Sequence, residues 1–205
     1  MKKIIIIGAS GHGKVIADIA SKIGYSEIEF LDDNKQLECC GIYKIVGTSD
    51  DAYFYDGNDF IVAVGNADAR EKIQKKIIKK GLNVVSLIHP NAIIAENTII
   101  GVGSVVMAGA VIGPYAKIGN GCIINTCSSV DHDCILGNYV HVAVGAHIAG
   151  NVTIKDKTWI GAGATINNDI KISSNNMIGS GAVVVKNITK SGVYIGIPAK
   201  FVKKL

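Results

Sequence analysis

The sequence predicts an α/β domain followed by a parallel β-helix. The first observation is that an aliphatic residue recurs at every sixth position through the second half of the 205-residue chain. The second is that β-branched segments alternate with helical segments before that repeat begins, and the two patterns meet at His89-Pro90. We therefore expect domains over 1–87 and 88–189, with residues 190–205 as a C-terminal cap.

The repeat runs from Ile88 to Thr189 without an insertion. Its aliphatic positions are Ile88, Ile94, Ile100, Val106, Ile112, Ile118, Ile124, Val130, Leu136, Val142, Ile148, Ile154, Ile160, Ile166, Ile172, Ile178 and Val184. A period of six fits neither an α-helix nor a flat strand, but it fits a coil with sides of six residues and one inward side chain per side. Three sides close a triangular turn of eighteen residues, so residues eighteen apart should stack.

The corners of such a turn restrict the side chains that they accept. The fourth residue after each aliphatic position is often small, as at Ser104 and Ala110, so we expect distorted or covered corners where it is large, at Val140, Val152, Ile170 and Ile188. Glycine often follows the aliphatic residue directly, as at Gly161. Such a glycine indicates either a positive φ or a close approach of two backbones.

Before the repeat, the sequence predicts strands at 2–7, 28–31, 60–64 and 84–87 and helices at 14–23 and 68–80. This alternation predicts a small Rossmann-like parallel sheet with helices on its faces. Ligands of such sheets bind beyond the carboxyl ends of the strands. We expect three strand ends to form one crevice, namely the turn 8–13, Asp32 with Asp33, and Gly65 with Asn66.

The turn from Gly8 to Lys14 resembles two phosphate-binding motifs and satisfies neither. It matches Gly-x4-Gly-Lys, but Val15 replaces the Ser or Thr that would hold magnesium, and the dinucleotide motif lacks its third glycine. Both motifs share glycines that let main-chain N–H groups and a helix N-terminus approach an anion. A nucleotide diphosphate is a suitable ligand, with the acidic pair accepting hydrogen bonds from it. The alternative is that these are turn residues only.

Composition excludes several classes of function. The net charge of +4 is small and dispersed, so we expect no nucleic-acid partner. No apolar run approaches the length of a membrane span, and the N-terminus lacks a signal-peptide pattern, so we expect no membrane insertion and a cytoplasmic location. The five cysteines are odd in number and lack metal-ligand spacing. We expect reduced thiols, with Cys122 and Cys134 packed at corners.

Three histidines fall inside the repeat. His141 and His147 are six residues apart and therefore belong to different sides, which argues against a shared zinc ion. His132 is two residues after Val130 and should project outward between Asp131 and Asp133. An adjacent carboxylate can fix the imidazole tautomer and stabilise the imidazolium, which favours a general base. An ordinary surface histidine is the alternative.

An ordered set of motifs carries a family resemblance over essentially the whole chain. The motifs are Gly-Ala-Ser-Gly-His-Gly at 8–13, Leu31-Asp32-Asp33, Ala63-Val64-Gly65-Asn66, Asn125-Thr126, Val130-Asp131-His132-Asp133, Val144-Gly145-Ala146, Ala149-Gly150-Asn151-Val152 and Gly196-Ile197-Pro198-Ala199-Lys200. Together they resemble the NeuD family of sugar acetyltransferases, and within it the PglD-type UDP-4-amino-sugar N-acetyltransferases.

The resemblance implies a left-handed β-helix, a homotrimer with active sites at subunit boundaries, and acetyl-CoA as co-substrate without a metal. It implies catalysis by His132 with Asp133, although Asp133 stands where the closest relatives have Glu. Residues matching the UDP-sugar contacts are Ser10, Gly11, His12, Asp32, Asp33 and Gly65. Residues matching the acetyl-CoA contacts are His141, Ala162 and Ser180, and Ser180 replaces an expected Gly.

The function that this resemblance implies is direct acetyl transfer to the 4-amino group of a UDP-4-amino-4,6-dideoxy sugar of the UDP-N-acetylbacillosamine type. Two alternatives stay open. One is O-acetylation of a sialic acid or another sugar on the same scaffold. The other is a different class of function, a non-enzymatic trimeric scaffold or a metal-dependent hydratase.

Overall fold

The computed structural model describes residues 2–205, which divide into two compact units after Pro90. The elements of the first unit are β1 (Lys3–Ile7), α1 (Gly11–Lys22), β2 (Glu27–Leu31), β3 (Cys39–Cys40), β4 (Tyr43–Lys44), a 3₁₀ helix (Ser49–Tyr55), β5 (Asp59–Val62), α2 (Ala67–Lys79), β6 (Asn83–Val84) and β7 (Leu87–Ile88). Strands β2, β1, β5 and β6 form a parallel sheet in that order.

The centre of this sheet is β1, and its four consecutive isoleucines are all buried. A strand covered on both faces is apolar throughout, which explains a run that does not alternate. On one face Ile5 and Ile7 pack with Phe60 and with Ile77 of α2. The predicted parallel sheet is confirmed, with element ends shifted by one to three residues. The β3–β4 hairpin and the 3₁₀ helix were not predicted, because two-residue strands carry no readable alternation.

The second unit is a coil of short strands. They are β8 (Ile93–Ile94), β9 (Ile99–Ile100), β10 (Val105–Val106), β11 (Val111–Ile112), β12 (Lys117–Ile118), β13 (Ile123–Ile124), β14 (Ser129–Val130), β15 (Ile135–Leu136), β16 (His141–Val142), β17 (His147–Ile148), β18 (Thr153–Ile154), β19 (Trp159–Ile160), β20 (Thr165–Ile166), β21 (Lys171–Ile172), β22 (Asn176–Ile178) and β23 (Val183–Val184). Each strand from β8 to β20 pairs in parallel with the strand one turn later, as Ile124 does with Val142. The predicted eighteen-residue turn is confirmed.

Three parallel sheets form the sides of the coil, and we number them by first appearance. The first side contains β8, β11, β14, β17, β20 and β23; the second contains β9, β12, β15, β18 and β21; the third contains β10, β13, β16, β19 and β22. The fourteen aliphatic residues from Val106 to Val184 are at most 2% exposed. Ile94 and Ile100 only border this core, and Ile88 at its start is 37% exposed, so the expected burial is incomplete there. The core starts after Ile88, where an earlier turn is lacking.

The corners differ from the sequence prediction in one respect. The side chain at the fourth position points into the core, so the larger Val140 and Val152 are fully buried there. Their carbonyl groups accept ordinary 2.9 Å hydrogen bonds from Ile123 and Ile135 of the preceding turn. The expected distortion at these corners is therefore absent. The residue with left-handed φ is the third one after each aliphatic position, from Asn97 to Gly181.

Glycines directly after the aliphatic position serve close approach rather than positive φ. A Cβ added to Gly161 would lie 2.6 Å from the carbonyl oxygen of Ile178 in the next turn. Because real Cβ atoms essentially never come that close to backbone, adjacent turns can stack here only if the side chain is absent. Gly163, by contrast, has φ +65° and open space around its Cβ position.

The two roles predict opposite tolerance to substitution. Gly161→Ala is expected to lower the free energy of unfolding by about 1–3 kcal/mol, because the turns must separate. Gly163→Asn is the control and is expected to cost less than about 1 kcal/mol, since asparagine adopts the same left-handed conformation at Asn97 and Asn151. Denaturant unfolding measures both. Equal losses for the two variants would contradict this division of roles.

The C-terminal residues form a hairpin of β24 (Gly192–Ile195) and β25 (Lys200–Lys203). Strand β24 extends the third side in parallel with β22, and β25 returns antiparallel to it. The connecting turn bonds to the first side, since Gly196 accepts from Val183 and Ala199 donates to Val183. Tyr194 and Ala199 pack against the core of the coil. These contacts provide hydrogen-bond partners and apolar cover for part of the last turn, as the end of a solenoid requires.

Candidate active site

In the first unit, the loops after β1, β2 and β5 meet beyond the carboxyl ends of the strands. Gly8 makes the tight turn after β1 with φ +113°, and α1 begins at Gly11 with Ser10 as its N-cap residue. The Ser10 side chain makes no capping bond, and Gly11 has open space beside it. The predicted anion-binding turn thus has a helix N-terminus and little side-chain bulk.

The two aspartates after β2 have different surroundings. Both carboxylate oxygens of Asp32 accept main-chain N–H groups, from Ala9 at 2.6 Å and from Asn34 at 2.8 Å. Asp32 therefore ties the turn after β1 to the end of β2. Asp33 accepts the Ser49 N–H at 2.9 Å and lines a cavity of about 610 Å³. The same cavity is lined by three lysines, Lys35, Lys72 and Lys76.

His12 sits in the first turn of α1 with a buried ring. Burial, and then the charge of Arg70, lower the pKa of His12 to about 4, so the ring is neutral near pH 7. Its Nε2 atom is buried and makes no hydrogen bond within residues 2–205. A buried nitrogen of this kind is costly unless a ligand or water completes it. His12 therefore has the surroundings of a ligand contact.

Arg70 holds the third loop and was missed by the sequence analysis. Its side chain is 1% exposed, and its Nη1 donates to the carbonyl oxygens of Val64 and Gly65 at 2.8 Å each. The guanidinium thereby fixes the main chain at Gly65, which is a predicted ligand contact. Its positive charge also lowers the pKa of His12. One signal was available, because Arg70 is the only arginine in a chain with twenty lysines.

In the second unit, His132 lies at the corner between the first and second sides and projects outward, with 54% of its side chain exposed. Its Nδ1 is 2.8 Å from Oδ2 of Asp133. Because a carboxylate only accepts, Nδ1 carries the proton and Nε2 is left with its lone pair. Asp133 has φ +60°, a conformation that aspartate tolerates better than most residues. The shorter aspartate thus still reaches the ring.

The electrostatic surroundings of His132 favour its protonated form. The hydrogen bond that His132 Nδ1 donates to Asp133 is the main cause that raises the pKa of His132, and the charges of Asp131 and Asp169 act in the same direction. A raised pKa makes the neutral ring a stronger base, although a larger share of it is already protonated at neutral pH. The arrangement suits a group that accepts a proton from a nucleophile.

The predicted acetyl-CoA contacts lie on other parts of the coil. His141 is on the third side, where its Nε2 is 3.2 Å from Nδ2 of Asn125 and its ring is 6.1 Å from that of Trp159. Ala162 and Ser180 are exposed at the corner between the third and first sides, one turn apart. One chain therefore carries His132 and the pair Ala162 and Ser180 on different corners.

The first side joins these two corners and carries a groove of about 280 Å³ that Asp131 helps to line. Ser129 Oγ and His147 Nδ1, 2.9 Å apart, line it. His141 and His147 lie on different sides, and residues 2–205 contain no group of three or more His, Cys, Asp or Glu positioned for a metal. Burial raises the pKa of Cys134 to about 11, so this corner thiol stays protonated.

Both units of the chain match families of known proteins. The PglD N-terminal domain model matches residues 3–77, and the bacterial transferase hexapeptide (six repeats) model matches residues 91–126. The acetyltransferase domain of PglB from Neisseria gonorrhoeae FA1090, solved in complex with acetyl coenzyme A, is 39% identical with a TM-score of 0.95. The alignment covers 98% of this chain and 99% of that domain. The chain belongs to the NeuD/PglD-type family of sugar acetyltransferases. As expected for this family, its hexapeptide repeats form a left-handed β-helix.

Two further relatives of this NeuD/PglD-type chain differ in the nucleotide that their names contain. GDP-perosamine N-acetyltransferase of Escherichia coli O157:H7 is 34% identical over 102 residues, 50% of this chain and 46% of that protein. UDP-N-acetylbacillosamine N-acetyltransferase of Bacillus subtilis (strain 168) is 29% identical over 113 residues, 53% of this chain and 52% of that protein. The matched region thus spans about half the length of each. No helix within residues 2–205 is both long and apolar enough to cross a bilayer.

Proposed function

We propose that the chain transfers the acetyl group of acetyl-CoA to the amino group of a nucleotide-linked amino sugar, with a UDP-4-amino-4,6-dideoxy sugar of the bacillosamine type as acceptor. The observation that carries this proposal is the exposed His132, whose Nδ1 is held by Asp133 so that Nε2 can accept a proton. Family membership and the acetyl coenzyme A bound to the PglB domain support the choice of donor.

In the proposed reaction, the neutral sugar amine attacks the thioester carbonyl and His132 Nε2 accepts a proton from the amine as the C–N bond forms. Asp133 stabilises the resulting imidazolium through Nδ1. The tetrahedral intermediate collapses with loss of the CoA thiolate, which takes up the proton held by the His132 imidazolium and returns the ring to its neutral form. A main-chain N–H at the edge of the coil would stabilise the oxyanion. No acyl-enzyme is needed, and none of these steps uses a metal.

The first unit supplies the proposed site for the nucleotide diphosphate. The helix N-terminus at Gly11 suits the phosphates, and the unpaired Nε2 of His12 and the carboxylate of Asp33 suit polar groups of the sugar or base. Lys35 and Lys72 add positive charge around the cavity beside Asp33. Acetyl-CoA would contact His141, Ala162 and Ser180, as the resemblance implies.

A GDP-linked 4-amino sugar is the second candidate acceptor, because the E. coli relative is the more similar of the two curated proteins. Asp33 fits either base, since uracil and guanine both present N–H donors. The two acceptors therefore differ in the size of the base that the cavity must admit.

A homotrimer is part of the proposal. The outward residues Ile93, Val111, Ile99 and Ile135 on the first and second sides are 39–65% exposed. Aliphatic side chains exposed together in this way are typical of surfaces that another chain covers. Light scattering of the purified protein measures the mass directly, and a monomer would contradict a site shared between subunits.

The test of the proposed function is a panel of acceptors incubated with acetyl-CoA, with release of free thiol as the readout. The panel contains UDP-4-amino and GDP-4-amino sugars, free sialic acid and a buffer blank. We expect the fastest turnover with a UDP-4-amino sugar. Faster turnover with the GDP sugar would favour the second candidate, and turnover of sialic acid would favour O-acetylation. Acetyl-CoA binding without any turnover would favour a scaffold.

The raised pKa of His132 predicts the pH dependence of the reaction. The base is active when neutral, so kcat/KM should rise with pH through the raised pKa and fall off below it. Asp133→Asn removes the main cause of the shift and should move this midpoint to lower pH. Asp169→Asn is the comparison, because Asp169 contributes only a smaller charge effect. If Asp133→Asn left the midpoint of the pH profile unchanged, the group that titrates in that profile would not be His132.

A further inference from the structure

The imidazole of His132 lies against the backbone of Gly150, the residue at the same position one turn later. A Cβ added to Gly150 would lie 2.4 Å from Nε2, 2.5 Å from Cε1 and 3.1 Å from Cδ2 of the ring. Distances below 3.0 Å are essentially never found for a real Cβ. The ring therefore occupies the space that any side chain at residue 150 would take.

The coil itself does not require glycine at this position. Residue 150 is the second after the aliphatic Ile148, and among the sixteen residues at that repeat position, from Glu96 to Lys186, it is the only glycine. Its φ is outside the left-handed region, unlike that of Gly145 or Gly163. An L-residue could therefore adopt this backbone, and the ring of His132 is the neighbour that would exclude its side chain.

Another corner of the coil shows what a side chain does at this position. At the corner between the second and third sides, Asn120 Oδ1 accepts the N–H of Val102 one turn earlier at 2.9 Å. Asn138 and Asp156 repeat the bond to the next residues of the column, at 2.9 and 2.8 Å. Each side chain at this position thus caps the N–H of the residue eighteen places before it.

At the His132 corner this ladder is replaced. Gly150 has no side chain to accept the N–H of His132, and Asp131 Oδ1 accepts it instead at 2.7 Å. The imidazole fills the vacated space and uses Asp133 as the partner of Nδ1. The backbone of Gly150 in the next turn therefore bounds the His132 ring on one side, and the hydrogen bond from Nδ1 to Asp133 holds it in place.

We propose that Gly150 and Asp131 are positioning residues for His132. Gly150 leaves the space in which the ring lies, and Asp131 satisfies the main-chain N–H that a side chain at residue 150 would otherwise cap. This inference rests on the proposed role of His132 as general base. In this proposal both residues act on the reaction through the orientation of the imidazole.

Gly150→Ala tests the proposal. A methyl group at 2.4 Å must displace the ring by about 1 Å, which is expected to lower kcat by about 10²-fold. The KM for acetyl-CoA should change by less than about threefold, because binding of the donor does not depend on the ring position. The same displacement weakens the bond to Asp133, so an NMR titration should show the pKa of His132 falling back towards its ordinary value.

Three further variants make the test independent of folding. Gly150→Asn supplies the ladder side chain seen at Asn120 and Asn138, so it should melt at or above the wild-type temperature while losing kcat as Gly150→Ala does. Combining Gly150→Ala with His132→Ala should lower kcat no further than His132→Ala alone. Ser174→Thr adds a methyl group at the same repeat position away from His132 and controls for added bulk.

The outcomes separate this inference from the proposed function. Wild-type kcat together with an unchanged His132 titration in Gly150→Ala would overturn the positioning role and leave the function intact. A further loss of kcat in the double variant would also overturn it, because Gly150 would then act other than through the ring. Full activity of His132→Ala alone would instead overturn the proposed function, while the NMR titration would still report whether Gly150 places the ring.

Discussion

His132→Ala is expected to lower kcat by about 10²- to 10⁴-fold, the usual contribution of a general base. The ring is half-exposed and lies outside the hydrophobic core, so its removal should leave the fold and acetyl-CoA binding nearly unchanged. Steady-state kinetics with the preferred acceptor measure kcat, and calorimetry with CoA measures binding.

The comparison variant is His132→Gln, which keeps a polar side chain of similar length but cannot accept the proton. We expect it to be as slow as His132→Ala, because the missing property is basicity and not bulk. Asn168→Ala lies two turns further along the same corner and should keep wild-type kcat. An alanine variant of His132 with full activity would remove this residue from the reaction.

Ile148→Asp is expected to prevent folding of the second unit. Ile148 is 1% exposed and pairs with Val130 of the preceding turn and Ile166 of the following one. A carboxylate there has no partner in an aliphatic column, so the loss should exceed about 4 kcal/mol and soluble expression should fail. Circular dichroism and thermal unfolding check this on any protein that is recovered.

Val102→Asp also replaces an aliphatic residue with aspartate, but at an outward corner of the coil. Val102 is 48% exposed and is not among the residues assigned to the proposed trimer surface, so the charge stays in water and the cost should be below about 1 kcal/mol. An unaltered melting temperature for Ile148→Asp would refute the inward assignment on which the whole register depends.

The coil was predictable because its repeat permits one register only. Once the side chains of Val106 and Ile124 are assigned inward, every later aliphatic residue of the repeat must also point inward. His132 must then point outward. The sequence does not show why residue 161 is glycine, because a positive φ and a close approach of two backbones both require glycine. It also allowed a distorted corner at Val140, which the structure does not show, since the inward direction of the corner side chain becomes visible only in three dimensions.

The sites were less predictable than the fold. The strand order brought the loops at Gly8, Asp32 and Gly65 together as expected, but polar contacts that the sequence analysis did not predict hold them. The bond from Ala9 to Asp32 spans 23 residues, and the bond from Arg70 to the main chain at Gly65 is local but comes from a buried side chain of α2. Polar contacts of this kind do not recur at a regular spacing in the sequence, so the sequence pattern does not predict them.

The turn of eighteen residues also limits how chains of this kind can change in length. Inserting one whole turn would lengthen the prism and leave every later residue facing the same direction. Inserting a single hexapeptide would preserve the aliphatic interior but rotate everything beyond it by a third of a circle. If the insertion lay between residues 132 and 162, the corner that carries Ala162 and Ser180 would be rotated to a different position around the axis relative to His132. Evolution of this scaffold is therefore free in steps of eighteen residues and constrained in steps of six.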